Sequence, residues 1–366
     1  MARGPRSATP PGRTARPSPE PVVVDRRIGA YRVHALLGDG GMGAVFLARR
    51  VVPREGPPVA LKRLHADRAD DPNSRSMFID EARLQMRLAH PAFCNVVDVG
   101  EADGLPYFAM DLLVGRTLDD LIRRQRHRPL LRSVGAIAHA FAQVCGGLHA
   151  LHELGGATGA QYAVHRDISP GNLFVCYDGR VKILDLGIAF WRDRFHATPD
   201  GEVKGKMAYL APEALEVGAP DRRRDVWSLG VTLWEALTGR RLFEGRGASE
   251  LFHAIRSAPI PRPSSLRDGV PGALDEVVSR ALSRDPEGRY RDAAAFGVAL
   301  RQVTGTSTRA DVGAWIDTQF EGEAPKTFRA IERLLASEPT TADSAVPRLR
   351  WDALRQRATP TTLTEP

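Results

Sequence analysis

Three oxygen-bearing side chains near the middle of the chain stand at a spacing suited to chemistry. "VHRDISPGN" (164–172) holds Asp167 and, five residues on, Asn172, and "KILDLG" (182–187) adds Asp185 thirteen residues later. Amide and carboxylate oxygens are hard ligands for Mg²⁺, so Asn172 and Asp185 are candidate metal ligands and Asp167 a candidate base for an acceptor hydroxyl. Phosphoryl transfer asks for these parts and for little covalent work by the protein. Upstream, "GDGGMGAV" (38–45) fits G-x-G-x-x-G-x-V through Gly38, Gly40, Gly43 and Val45. Glycines there let backbone N–H groups approach phosphate oxygens. Seventeen residues after Val45, "VALK" supplies Lys62, which can meet the phosphates from the next strand. The chain has 46 Arg and only five Lys, so a lysine at a motif position carries extra weight. The following helix offers Glu81 as its counter-ion, whereas Asp80 points about 100° away around that helix.

The elements that must carry these residues change character along the chain. "YRVHALL", "AVFLARRV" and "PVALKRL" are β-branched, alternating runs between turns, which predicts an antiparallel sheet. "DPNSRSMFIDEARLQMRLAH" has helical periodicity, with Asn73 as the cap candidate, and two more strands follow. Beyond Leu118 helices dominate, including "SVGAIAHAFAQVCGGLHALHEL" and "DVWSLGVTLWEALTG". A small sheet-rich lobe followed by a helix-rich one is an α+β architecture. Residues 1–28 read as a disordered Arg/Pro-rich tail, 29–113 and 114–303 as the two lobes, and 304–366 as an extension with two short helices and a polar end.

In order and spacing, these motifs resemble a eukaryotic-like bacterial serine/threonine protein kinase over residues 31 to about 303. "DLG" (185–187), "GKMAYLAPE" (205–213), "DVWSLGV" (225–231) and "RDPEGRY" (284–290) complete the likeness. The resemblance implies a bilobal kinase fold with one regulatory helix in the small lobe, and ATP with Mg²⁺ or Mn²⁺ as cofactors. It implies an ATP site formed by Leu37, Gly38, Asp39, Gly40, Gly41, Met42 and Gly43 of the loop. Val45, Ala60 and Phe174 would sandwich adenine. Met110 would be the gatekeeper, and Asp111 and Leu113 the adenine-bonding hinge. Glu213 should pair with Arg289, and Asp225 should brace the catalytic loop.

Three positions depart from the family pattern. Leu186 stands where phenylalanine is usual, and Gln85 where an apolar residue is usual. Ser169 stands where a lysine normally neutralises the transferring γ-phosphate, while Lys206 occupies a position that is normally threonine. The two positions are read as having exchanged roles, with Lys206 the replacement cation. The form HRD-x-SP-x-N is similar to a subset of bacterial kinases.

Arg166 is implied to pair with a phosphorylated activation-loop hydroxyl, and Thr198 is the only Ser or Thr between Asp185 and Glu213. Autophosphorylation there, in a transient homodimer, is expected. The net charge of +7 owes +4 to residues 1–30, which hold six Arg against Glu20 and Asp25, so a nucleic-acid partner is not expected. No uninterrupted apolar run suggests a membrane helix, and three scattered cysteines suggest neither disulfides nor a zinc cluster. A cytoplasmic enzyme acting on protein Ser/Thr hydroxyls is the expectation, with a nucleotide-binding pseudokinase or scaffold as the alternative.

Overall fold

The computed structural model describes residues 27–51, 55–126, 133–156, 163–186, 205–215 and 221–337. The alternating runs at the start form a six-stranded antiparallel sheet of β1 (Arg27–Ile28), β2 (Tyr31–Asp39), β3 (Gly43–Arg50), β4 (Pro58–Leu64), β5 (Val96–Ala102) and β6 (Leu105–Asp111). Their spatial order is β1-β2-β3-β4-β6-β5. Residues 27 and 28, assigned above to the tail, are paired with Arg32 and Tyr31 instead. Gly29, in the left-handed region at φ +55°, turns the chain back and lets that short pairing form.

Alternation divides the strands of this lobe between two faces. Ala44, Phe46 and Ala48 join one buried apolar cluster with Tyr31, Val59 and Leu61. Lys62 is on the opposite face of β4 from Leu61, and Leu47 pairs directly with Ala60. The helix α1 (Pro72–Arg87) packs on this sheet through Phe78 and Ala82, which meet Phe108 and Leu64. Its cap is Asp71 rather than Asn73: the Asp71 carboxylate accepts from the N–H groups of Asn73 and Ser74 at 3.2 and 3.1 Å. Pro72, with its preset φ and no N–H, suits the first helical position, which places the cap one residue earlier.

The loop glycines are not equivalent. A Cβ on Gly43 would lie 2.3 Å from the carbonyl oxygen of Arg63, whereas one on Gly38 would meet nothing within 4 Å. Gly43→Ala is therefore expected to destabilise the small lobe by about 1–3 kcal/mol through overpacking. Gly38→Ala should leave thermal unfolding unchanged, and a melting curve of each variant checks the contrast.

The large lobe starts with a three-stranded sheet, β7 (Gly115–Thr117), β8 (Leu173–Cys176) and β9 (Val181–Ile183). Its helices are α2 (Leu118–Gln125), α3 (Val134–Gly156), α4 (Arg223–Thr238), α5 (Ala248–Ser257), α6 (Pro263–Leu266), α7 (Gly272–Ala281) and α8 (Ala293–Thr304). Within α3, residues 134–154 are long and apolar enough on average to cross a membrane, a feature hidden from a search for uninterrupted runs because His and Gln punctuate it. That composition serves packing here, because most of the helix is buried against α8 and the rest of the lobe.

Two further helices follow, α9 (Arg309–Gln319) and α10 (Glu323–Ala336). The division at residue 303 does not coincide with a break in the core. Val312, Trp315, Ile316 and Phe320 are buried in the same apolar cluster as α3 and α4. Their near-helical spacing puts them on one stripe, and that stripe has nowhere else to bury. Trp315 also donates its indole N–H to the Gln125 side chain at 2.8 Å.

Candidate active site

β4 presents Lys62 from the small lobe, and α1 carries Glu81 to it. The Lys62 ammonium donates to Glu81 Oε1 at 2.7 Å and to Asp185 Oδ1 at 2.9 Å. Burial alone would lower the Lys62 pKa, but the two carboxylates reverse that and hold it above the usual lysine range. Lys62 in turn keeps Asp185 below the usual carboxylate range. Asp80, by contrast, is exposed on the far side of α1. In the loop above Lys62, Gly40 N–H donates to the Gly43 carbonyl at 3.1 Å. His65 lies against the same turn, 2.9 Å from the Gly40 carbonyl and 3.1 Å from Asp39.

The catalytic-loop candidates are organised by Asp225, which is fully buried at the start of α4. Its carboxylate accepts from the backbone N–H groups of His165 and Arg166, both at 2.8 Å, and lies 2.8 Å from His152 Nε2. These bonds hold Arg166 at φ +67°, and Asp185 stands at φ +47°. Left-handed backbone at non-glycine residues costs about 1–3 kcal/mol each and persists where surrounding contacts over-determine it. Here it turns Asp167 and Asp185 toward one space. Asn172 Nδ2 donates to the Asp167 carbonyl at 2.7 Å and to Asp167 Oδ2 at 2.8 Å.

Lys206 reaches the same point from the other wall, where its ammonium donates to Asp167 Oδ2. It also contributes to lowering the Asp185 pKa, after the larger effect of Lys62. Ser169 is buried in the turn, and its carbonyl accepts the Asn172 N–H at 3.0 Å.

Between the lobes, Asp111 N–H bonds the Asn95 carbonyl at 3.1 Å, and the Asp111 carboxylate accepts from the Asn95 side chain at 2.9 Å. The Phe174 ring lies against Gly115, directly beyond the hinge, so closely that a Cβ there would approach it to 2.9 Å. Glu213 and Arg289 form a two-pronged pair, both contacts 2.7 Å.

A family model described as "Protein kinase domain" matches residues 31–296. The chain belongs to the protein kinase family. It is 36% identical over 328 residues to the tyrosine-protein kinase MasK of Myxococcus xanthus, covering 87% of this chain and 50% of that protein. It is equally 36% identical over 284 residues to the serine/threonine-protein kinase PknL of Mycobacterium bovis, covering 78% of this chain and 67% of the relative. Among solved structures, the PknI kinase domain of Mycobacterium tuberculosis aligns with a TM-score of 0.55 at 27% identity, covering 75% of this chain and 96% of that one. The chain thus spans about half to two-thirds of the length of these curated relatives.

The departures from the kinase pattern now have physical readings. Leu186 is buried in the large-lobe core. Gln85 is buried as an apolar residue would be, but its Nε2 donates to the Cys94 carbonyl at 3.2 Å. Gln85→Leu, though closer to the family habit, should cost about 1–3 kcal/mol by leaving that carbonyl without its donor. Chemical denaturation of the two proteins checks it.

Arg166 is half-buried, and burial, then the neighbouring Arg224 guanidinium, lower its pKa. The Nε atoms of Arg166 and Arg224 are both buried without a hydrogen-bond partner. Two neighbouring guanidinium groups with unused donors are suited to an anion. Thr198, the expected phosphate carrier, lies outside the described residues.

Sequence reasoning missed three contributors. His152, to which no motif assigns a role, is fully buried against Asp225. His65 and Asn95 hold the glycine-rich turn and the hinge. No local signal marks them, because each acts on a residue from another element.

Proposed function

We propose that the chain is an active protein kinase that transfers the γ-phosphate of ATP to serine or threonine hydroxyls. The observation that carries this is the Lys206 ammonium on Asp167, because it supplies the cation whose absence at Ser169 would otherwise favour a catalytically silent fold. Asn172 and the exposed carboxylate of Asp185, 62% accessible as a side chain, fit a hard divalent ion such as Mg²⁺ or Mn²⁺. Among the described residues no cluster of three or more His, Cys, Asp or Glu gathers for a metal, which suits an ion that shares its ligands with substrate phosphates. When bound, it would neutralise charge on those phosphates.

In this reading Lys62 holds the α- and β-phosphates, and the backbone N–H groups of the loop from Gly38 to Gly43 cover them. Asp167 orients the acceptor hydroxyl and takes its proton as the new O–P bond forms. The bond from the γ-phosphorus to the β-phosphate oxygen breaks, and ADP leaves. Lys206, beside Asp167, balances negative charge on the phosphoryl group in flight. Once bound substrate excludes water from the cleft, such fixed charge is worth several kcal/mol of barrier.

The serine/threonine assignment is supported by the relative named PknL, and the relative named MasK makes tyrosine the alternative acceptor. Incubation with labelled ATP and Mg²⁺, followed by acid hydrolysis of the phosphorylated protein and of a generic basic substrate, separates the cases. Label in phosphoserine or phosphothreonine supports the proposal; label in phosphotyrosine alone, or none at all, overturns it. Dependence on cellular ATP makes the cytoplasm the proposed site of action.

A further inference from the structure

We propose that α10 is a positioning element of the nucleotide site, a strap whose docking across the hinge sets the affinity for ATP. The inference rests on the ATP site described above. Ala35 of β2, Leu47 of β3 and Ile331 of α10 form a small buried apolar cluster of their own. Leu334 and Leu335 of the helix pack on it, as do Leu37, Leu112 and Val114 from the loop and hinge. Leu112 and Val114 flank Leu113, the hinge residue expected to bond adenine, and Leu37 immediately precedes the glycine-rich loop. Leu47 shares its face of the sheet with Val45, and Ala60 is its register partner. The helix therefore touches the far end of the surface that forms the adenine pocket.

The same helix is anchored on both lobes. At its start Glu323 is buried and paired with Arg116 of β7, directly beyond the hinge. At its end the Leu334 carbonyl lies 3.0 Å from His34 Nδ1 on β2. Thr327, fully buried between these anchors, continues the inward face at helical spacing from Glu323 to Ile331. A single rigid element fixed on both sides of a hinge restricts the angle between the lobes, and that angle brings Leu37 and Val45 over the base. The opposite face of α10 carries Arg329, which is exposed.

The test is calorimetric titration of ATP with Mg²⁺ into the full chain and three variants. Ile331→Ala/Leu334→Ala weakens the strap, Arg329→Ala alters its outer face, and Val278→Ala removes packing from the buried core of α7, away from the hinge. If loss of the strap leaves about one-fifth of molecules closed, the apparent Kd for ATP rises about fivefold. The KM for ATP should rise in parallel, with the KM for peptide unchanged. Arg329→Ala and Val278→Ala should bind ATP as the wild type does, although Val278→Ala melts earlier. Unchanged ATP affinity in the strap variant overturns the proposal, as does equal weakening in Val278→Ala. A wild type that binds ATP but transfers nothing defeats the kinase reading alone, since binding still judges the strap. A wild type that does not bind ATP defeats both.

Discussion

Lys206→Met is expected to lower kcat by roughly 10²–10³-fold while leaving the Kd for ATP near its wild-type value, the pattern for a charge that acts mainly on the transition state. The expectation follows from geometry. The ammonium lies on Asp167 Oδ2, and Asn172 holds the same oxygen through Nδ2 at 2.8 Å. A cation there faces charge that develops during transfer, whereas Lys62 faces phosphates that are already charged in the ground state. Asp167→Asn should abolish transfer, because the amide cannot take the proton. The informative partner is Ser169→Lys combined with Lys206→Thr, which returns the lysine to the position the family normally uses. Recovery of most of the lost rate would show that the cation matters and not the wall from which it comes, since coupled sites reveal themselves by such non-additivity. Wild-type turnover in Lys206→Met would end this account of Ser169.

Arg289→Met should cost about 3–5 kcal/mol of stability, the range for breaking one side of a buried ion pair. The Arg289 side chain is fully buried, and its two terminal nitrogens hold Glu213 at 2.7 Å each. Its Nε and remaining hydrogens satisfy the carbonyls of Ser283, Arg223 and Arg284 at 2.7, 3.1 and 3.1 Å. Methionine could fill the volume beside Trp227, over which the guanidinium stands at 5.0 Å, but it could donate to none of these groups. Such a loss is a large share of the roughly 5–15 kcal/mol by which domains are stable. Urea unfolding monitored by tryptophan fluorescence measures it. The exchange Glu213→Arg/Arg289→Glu should fail to rescue, because a carboxylate at 289 would face the same three carbonyls. Full rescue, or a cost under about 1 kcal/mol for Arg289→Met, would show that the pair is not the clamp described here.

Much of this site can be read from the sequence because its chemistry is concentrated in short local stretches. Asp167 and Asn172 share one turn, Asp185 follows a short strand, and Gly38 to Val45 is one hairpin. Alternation in β2 to β4 and helical spacing around Glu81 are likewise local, so the small lobe's sheet and its one helix were foreseeable. Local reading failed where a competing local preference won, as when Pro72 shifted the cap of α1 from Asn73 to Asp71.

The sequence by itself determined the family, the α+β order of the lobes, and which carboxylates, amide and lysine are the candidates for the chemistry, because residue type and short-range spacing suffice for these. Only the tertiary structure decided that Lys206 meets Asp167 across 39 residues, that His152 meets Asp225 across 73, and that α10 reaches β2 across 300. Contacts of that separation depend on how faces of different elements bury against one another. A linear pattern records which face is apolar, and it leaves unrecorded the partner that covers it.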